Sequence, residues 1–313
     1  MPRARKAPTV SIVTDSTAYL AAGATERAGI RIVPLQVVVG GIVRAEGSEI
    51  GPDEVAAVLS RGHSVSTSRP SPSLFSAAYQ QAFADGATSI VSVHLSAAMS
   101  GTVDAARLAA SDVGGDIRVV DSRSVAMGMG FGVLAGAEVA LAGGTAQAVI
   151  DAVERTLVAT SAFFYVDTLE FLRRGGRIGA AQALIGSALA VKPLLRVREG
   201  RIEPLERVRT SAKAIARLEE IAVEAAGDEP VGVAVHHLGS PVRAESLARA
   251  LDLRLPKVDE LMTTMTERRI RHVPVVDERG ATVGIVSIGD LVKSRISELE
   301  GERDDLVGYI GAR

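Results

Sequence analysis

The side chains of this 313-residue chain that could do chemistry are hydroxyls and arginines. Cysteine is absent, which excludes thiolate nucleophiles, disulfides and thiolate metal sites. The five histidines (His63, His94, His236, His237, His272) show no metal-ligand spacing, and no HExxH occurs. A nucleophile elbow is also missing, because Ser100-Gly101 lacks the first glycine of GxSxG. No Walker-type phosphate loop is present. Gly128, Gly130 and Gly132 imitate a dinucleotide fingerprint, but with the wrong spacing and well past the strand expected to end at Val120. They read instead as a glycine-lightened, tightly packed helix. What remains is a set of hydroxyls, notably Thr67 and Ser100, expected to face an aliphatic interior. Neutral hydroxyls there would hydrogen-bond a carboxylate at the end of an apolar tunnel. The expectation is therefore no catalytic residue, no metal and no cofactor.

The second chemical feature is charge. Between Arg173 and Lys213 stand ten Lys or Arg (173, 174, 177, 192, 196, 198, 201, 207, 209, 213) against three Glu (199, 203, 206), a local excess of seven. The whole chain has a formal charge of −2, so the excess is confined. A solvated hairpin face accounts for it, and so does a docking surface for an acidic or phosphate-bearing partner. Nucleic acid is not expected, because the stretch carries no aromatic residue for base stacking.

Elements that must position these residues follow from periodicity. Short β-rich runs (residues 10–14, 30–38, 89–94 and 117–120) alternate with Ala-rich helical stretches, the pattern of a parallel sheet covered by helices. Small polar clusters follow three of the runs: Asp15-Ser16-Thr17, the segment 96–102, and Asp121-Ser122. Each suits a helix cap; together they suggest a polar rim at the carboxyl ends of strands, where ligands of open α/β sheets sit. Residues 67–72 open a helix, with Ser71 as N-cap, Pro72 in the first position, Leu74, Phe75, Ala78, Tyr79 and Phe83 on the apolar face, and Gly86 at its end. The texture changes near residue 160. A strand at 163–166, a basic glycine-rich loop at 173–179, a helix at 180–190 and a hairpin over 194–197 and 201–208 turning at Glu199-Gly200 are expected. A helix at 211–226, a strand at 231–236 and a helix at 243–251 follow.

Hydrophobic residues make up 47% and aromatics only 3%, so the core is aliphatic. The run 124–137 carries four glycines, and its extension toward Ala142 meets Glu138; this predicts a buried helix, not a membrane span. A soluble, cytoplasmic protein is expected.

A series of short motifs carries a resemblance to the DegV family of fatty-acid-binding proteins. In order they are Val13-Thr14-Asp15-Ser16-Thr17, Val33-Pro34-Leu35, Thr67-Ser68 with Pro70-Ser71, His94-Leu95-Ser96 with Ser100-Gly101-Thr102, and Val120-Asp121-Ser122. Further on come Val166-Asp167-Thr168-Leu169, Gly175-Gly176-Arg177-Ile178, Lys192-Pro193 and Val208-Arg209-Thr210. The resemblance spans residues 9 to about 250. It implies a two-lobed α/β fold with a long-chain acyl group buried between lobes, and a fatty acid whose carboxylate is phosphorylated by a separate kinase, a step in phospholipid metabolism. It puts Thr67 and Ser100 on the carboxylate and gives Arg177 and Arg209 to kinase docking or phosphoryl handling. The sequence departs from the family at Arg69, where Gln is usual, and at Ala97, often Ser. The family's closing His-Thr-Gly-Pro-Gly segment has no counterpart after residue 250.

Residues 265–277 and 284–291 resemble instead the second half of a CBS module, whose adenosine-facing positions map to Ser287 and Asp290. Beyond them Val292, Leu299 and Leu306 recur seven apart, with Ile296 and Ile310 on the same side, an apolar seam interrupted by Arg303 and weakened by Gly301; it suits packing on the chain's own CBS-like strands, and it also suits self-association. The expected organisation is a DegV-like lobe over 1–160, a second over 161–255, and a partial CBS-like segment over 256–313. The leading functional reading is a fatty-acid carrier. The alternatives are a CBS-type module that senses adenylates or dimerises, and an acyl-acting enzyme using Ser100 with His94.

Overall fold

The computed structural model describes residues 9–20, 23–184, 191–227 and 231–255, with the backbone of 272–276 and 282–287. The chain opens with β1 (Val10–Asp15), a 3-10 turn (Ser16–Ala18), α1 (Ala24–Ala28) and β2 (Arg31–Val33). An antiparallel excursion follows: β3 (Gln36–Val39), β4 (Ile42–Ala45), α2 (Pro52–Ser60) and β5 (Val65–Ser68). The chain returns through α3 (Pro72–Ala84), β6 (Ser89–His94), α4 (Thr102–Val113) and β7 (Asp116–Asp121), then α5 (Met127–Leu141) and α6 (Ala146–Ala159). Next come β8 (Ala162–Tyr165), α7 (Glu170–Arg174), β9 (Lys192–Arg198), β10 (Arg201–Val208), α8 (Ser211–Ala226) and α9 (Pro241–Arg254). A hairpin of β11 (His272–Val276) and β12 (Thr282–Ser287) is the last described part.

The main sheet is parallel, in the order β2-β1-β6-β7. Period-two alternation sends its side chains to two different cores. Val10 and Ile12 of β1 and Val91 and Val93 of β6 pack with Met129, Val133 and Val149 of α5 and α6. Val13 and Ile90 point the other way, onto Phe75 and Tyr79 of α3 and Ala105 and Ala109 of α4. The glycine-lightened helix is as expected: α5 is buried along nearly its whole length. A Cβ added at Gly136 would stand 2.7 Å from Val153 Cγ2, and one at Gly132 would stand 3.0 Å from Leu157 Cγ. Those glycines are what let α6 approach.

The second lobe has an antiparallel sheet, β10-β9-β8. Adjacent residues of β9 again face opposite ways. Leu194 joins Leu218, Ile221, Leu247 and Leu251 of α8 and α9, while Leu195 joins Ile178, Ala181, Leu184 and Ile202.

Four element expectations are corrected. The run 30–38 is not one strand: Pro34 lacks a ladder donor, and the chain leaves the parallel sheet there to enter the separate sheet β4-β3-β5. The run 231–236 forms no strand among the described residues, since β-rich composition makes a strand only where a sheet edge receives it. The helix expected at 180–190 is a 3-10 stretch over Gly179–Leu184, and residues 185–190 lie outside the described part. The loop expected from Arg173 begins inside α7, because Glu170 accepts hydrogen bonds from both Arg173 and Arg174 one turn on. The seam at Val292, Leu299 and Leu306 also lies outside the described residues, as does Asp290.

Candidate functional site at the carboxyl ends of β1, β6 and β7

From β1 the chain first adds β2 on one side, then crosses back to place β6 on the other. That makes the gap between β1 and β6 a topological switch point, where loops splay apart and leave room for a ligand. The polar clusters expected there do sit at these strand ends.

Beneath the rim lies a buried hydrogen-bond chain. Asp15 Oδ2 accepts from the Leu95 N–H (3.0 Å) and from His94 Nδ1 (3.0 Å). Asp15 Oδ1 accepts from the Thr17 N–H (3.0 Å) and from its hydroxyl (2.5 Å). A carboxylate has no proton to give, so His94 Nδ1 carries the hydrogen of that bond, and Nε2 lies 2.7 Å from Ser92 Oγ. The Tyr79 hydroxyl completes the chain, 2.9 Å from Ser92, and burial pushes its pKa up to about 12. Phe75 packs edge-on to the His94 ring, with centroids 4.9 Å apart. Asp15, Ser92 and His94 are each 0% exposed. The order Asp-His-Ser imitates a hydrolase triad, but a serine sealed from solvent cannot attack a substrate carbonyl. The chain ties β1, β6 and α3 together.

The loop from Leu95 to Gly101 is held from three directions. Ser96 Oγ donates to the Gly200 carbonyl at 2.8 Å, joining this loop to the β9–β10 turn. Gly200 has φ +75°, and a Cβ there would collide with Ser96 Oγ, so the turn requires glycine twice over. Arg177 Nε donates to the Met99 carbonyl at 3.0 Å, and the Met99 side chain packs against the second lobe's Leu195–Ile202 cluster. Arg69 lies against Gly101. A Cβ built on Gly101 would overlap Arg69 Nη1 and stand 3.1 Å from its Cδ and 3.4 Å from its Cζ.

The predicted site residues divide accordingly. Ser100 is half-buried, and its hydroxyl bonds Thr102 Oγ1 at 2.8 Å. It does not bond His94, which is committed to Asp15 and Ser92, so the Ser100–His94 pairing expected for an acyl enzyme does not form. Thr67 is exposed and lies inside β5, paired with Val37, not at the end of a parallel strand facing an aliphatic interior. The antiparallel excursion after Pro34 put it there. Its neighbour Arg69 nevertheless brings that segment against Gly101. Arg177, expected to serve a partner only, braces the Ser100 loop. Arg209 is exposed just past β10, with no hydrogen bond or ion pair among the described residues. Ser71 does precede α3, but its hydroxyl bonds Ser73 and caps nothing.

The basic stretch is partly neutralised within the lobe. Arg173 and Arg174 pair with Glu170, Lys192 with Asp167 and Arg196 with Glu203. Among the described residues, Arg198, Arg201, Arg207, Arg209 and Lys213 have no carboxylate partner. The described residues hold no cluster of three metal-ligating side chains.

Sequence reasoning missed two arrangements. The Asp15–His94 chain was detectable in the alternation of Ser92 and His94 on β6, which puts both on one face, but nothing local pairs them with Asp15. The other is Glu46, whose carboxylate accepts from Ser16 Oγ (2.5 Å) and the Tyr19 hydroxyl (2.6 Å) while Ser16 Oγ accepts from the Leu35 N–H (3.0 Å). It rests on the excursion that the sequence read as one straight strand.

The DegV family model matches residues 9–273 of this chain. The chain belongs to the DegV family. A CBS-domain model matches residues 255–297, where β11 and β12 pair. A DegV domain-containing protein of Streptomyces coelicolor is 57% identical over 287 residues, 91% of this chain and 99% of that protein. Among solved structures, a DegV family protein of Thermus thermophilus described as binding fatty acid is 38% identical, with TM-score 0.66 over 70% of this chain and 79% of that one. DegV of Bacillus subtilis, described as a fatty acid binding protein, is 34% identical, with TM-score 0.72 over 79% of this chain and 89% of that one. Among the described residues no helix is long and apolar enough to cross a membrane.

Proposed function

We propose that this protein carries one long-chain fatty acid, hydrogen-bonds its carboxylate through Thr67 and Ser100, and presents it to a fatty acid kinase-like partner through a surface that includes Arg177 and Arg209. It acts as a carrier, not a catalyst. The observation that carries the reading is the seat of Arg69 on Gly101, which brings the Thr67 segment against the Ser100 loop at the switch point. Fatty acid binding in DegV relatives sharing 38% and 34% identity supports the ligand class. The same reading divides the chain into lobes over 1–160 and 161–255 and a tail over 256–313.

Lipid extracted from the purified protein and identified by mass spectrometry tests the ligand; one fatty acid per chain is expected, and lipid-free protein that takes up no palmitate refutes the reading. Replacing Thr67 and Ser100 together by Ala should weaken palmitate binding by about 2–4 kcal/mol, taking ~1–2 for each hydroxyl lost from a charged acceptor. Unchanged affinity would take the carboxylate away from these two residues.

The CBS match favours a second reading of the tail, as a self-association element. Sedimentation velocity should find the full chain at least partly dimeric and a chain ending at Leu255 monomeric. Equal monomeric masses would remove that role.

A further inference from the structure

We propose that Arg69 supplies the positive charge of the head-group site and makes this protein selective for an ionised acyl head group over a neutral one. The proposal rests on the carrier reading above, and deepens it.

Arg69 differs from other arginines in what it lacks. Other arginines of the same lobe have a carboxylate: Arg31 has Asp85, Arg44 has Glu54, and Arg118 has Asp116. Arg69 has no ion pair or hydrogen bond among the described residues, although its side chain does not simply trail into solvent. The guanidinium lies across Gly101, close enough that no Cβ fits beneath it. Gly101 follows Ser100, whose hydroxyl is paired with that of Thr102. A cation with five N–H donors and no ion pair among the described residues therefore lies on the glycine between two hydroxyl residues.

The nearby acids are already engaged. Asp121 accepts from the Ala97 and Arg123 N–H groups, and Asp104 stands 3.9 Å from Arg107. Arg177 adds a second guanidinium to this loop, fixed to the Met99 carbonyl. The neighbours of Ser100 in the chain, Met99 and Gly101, are thus each contacted by a guanidinium, and the ligand chemistry such a pair favours is an anion. A planar guanidinium suits a carboxylate in particular, because it donates two parallel hydrogen bonds. A neutral head group such as an alcohol would satisfy the hydroxyls but leave the charge unanswered.

The test compares palmitate with its alcohol, hexadecanol, on the delipidated full chain by displacement of a fluorescent ligand. Arg69→Gln keeps a hydrogen-bonding side chain and removes the charge. It should weaken palmitate by about tenfold or more, the loss expected for a charge-assisted pair, and leave hexadecanol unchanged. Gly101→Ala keeps the cation but evicts it from its seat, and should lower the same preference in part. Arg69 is exposed, so both variants should keep the wild-type melting temperature. An undiminished preference for palmitate in Arg69→Gln overturns the proposal, and so does an equal loss of both ligands, which would mark a packing role. A wild-type chain that binds palmitate with no preference over hexadecanol also overturns it while leaving the carrier reading intact. A wild-type chain that binds neither sinks both.

Discussion

Asp15 and His94 lie 79 positions apart in the chain, yet their side chains meet at 3.0 Å with both fully buried. The carboxylate takes four donors, and the imidazole passes the chain on to Ser92 and Tyr79. This polar seam sits where β1, β6 and α3 converge, directly under the loop that carries Ser100.

Removing His94 takes one donor from the buried Asp15 carboxylate, strands Ser92 and leaves a cavity. His94→Ala should therefore destabilise the protein by about 3 kcal/mol or more. Tyr79→Phe loses only the terminal hydroxyl and should cost about 1 kcal/mol. Urea unfolding measures both, and a His94→Ala cost below that of Tyr79→Phe would show that the seam does not hold the sheet.

Helix α5 offers a test of close approach. Gly136→Ala places a methyl 2.7 Å from Val153 Cγ2 and 3.3 Å from Val149 Cγ1. Overpacking costs about 1–3 kcal/mol, partly offset by the ~1 kcal/mol that alanine gains in helix propensity. A lower melting temperature is expected; a rise would mean that α6 yields freely.

Asp167 collects donors from Tyr165, Lys192, Ser211 and Arg243. The Tyr165 hydroxyl foremost, with Lys192 and Arg243, holds its pKa at about 2, below the ordinary 3.8. A depressed carboxylate stabilises the fold fully above its unfolded pKa, and that contribution fades as pH falls from about 4 toward 2. The side chain is 53% exposed, so screening limits the effect to roughly 1 kcal/mol or less. Asp167→Asn should flatten that part of the acid-unfolding curve and leave stability near neutral pH lowered by a similar amount. Wild-type and variant curves of the same slope between pH 4 and 2 would contradict it.

Arg177 and Arg209 should separate on mutation. On the proposed carrier role, Arg209→Glu should impair phosphorylation by a fatty acid kinase while leaving bound lipid unchanged. Arg177→Glu should impair both, because it also releases the Met99 carbonyl and loosens the Ser100 loop. Retained lipid in Arg177→Glu would return that residue to a purely docking role.

How far the sequence was readable depends on the range of the forces involved. The β9–β10 hairpin, α8 and the buried α5 were legible because turn residues and helical periodicity are local signals. The β3–β5 excursion was not, because a single Pro34 inside a β-rich run leaves both a bent strand and a change of sheet open. At the site, the hydroxyls and arginines were visible as types. Their arrangement was not: that Ser100 turns to Thr102, that Arg177 reaches Met99, and that Arg69 lies on Gly101 are all decided by which loops meet. Exposed Thr67 shows the same limit, since its surroundings are set by the partner strand β3.

The pairing of β1 with β6 also has a kinetic side. As the chain leaves the ribosome, β1 and β2 are complete long before Ser89–His94 exists, and until then the Asp15 carboxylate lacks its donors from His94 and Leu95. The parallel sheet cannot close by local steps; it must wait for a distant strand, and loop closure over that span is slow relative to hairpin formation. The antiparallel excursion between them has no such wait, so β3 and β4 are free to form first and shorten the effective gap. Synthesis past β6 is then the event that commits the first lobe, and a pause in translation before it would leave a half-built sheet edge exposed to chaperones.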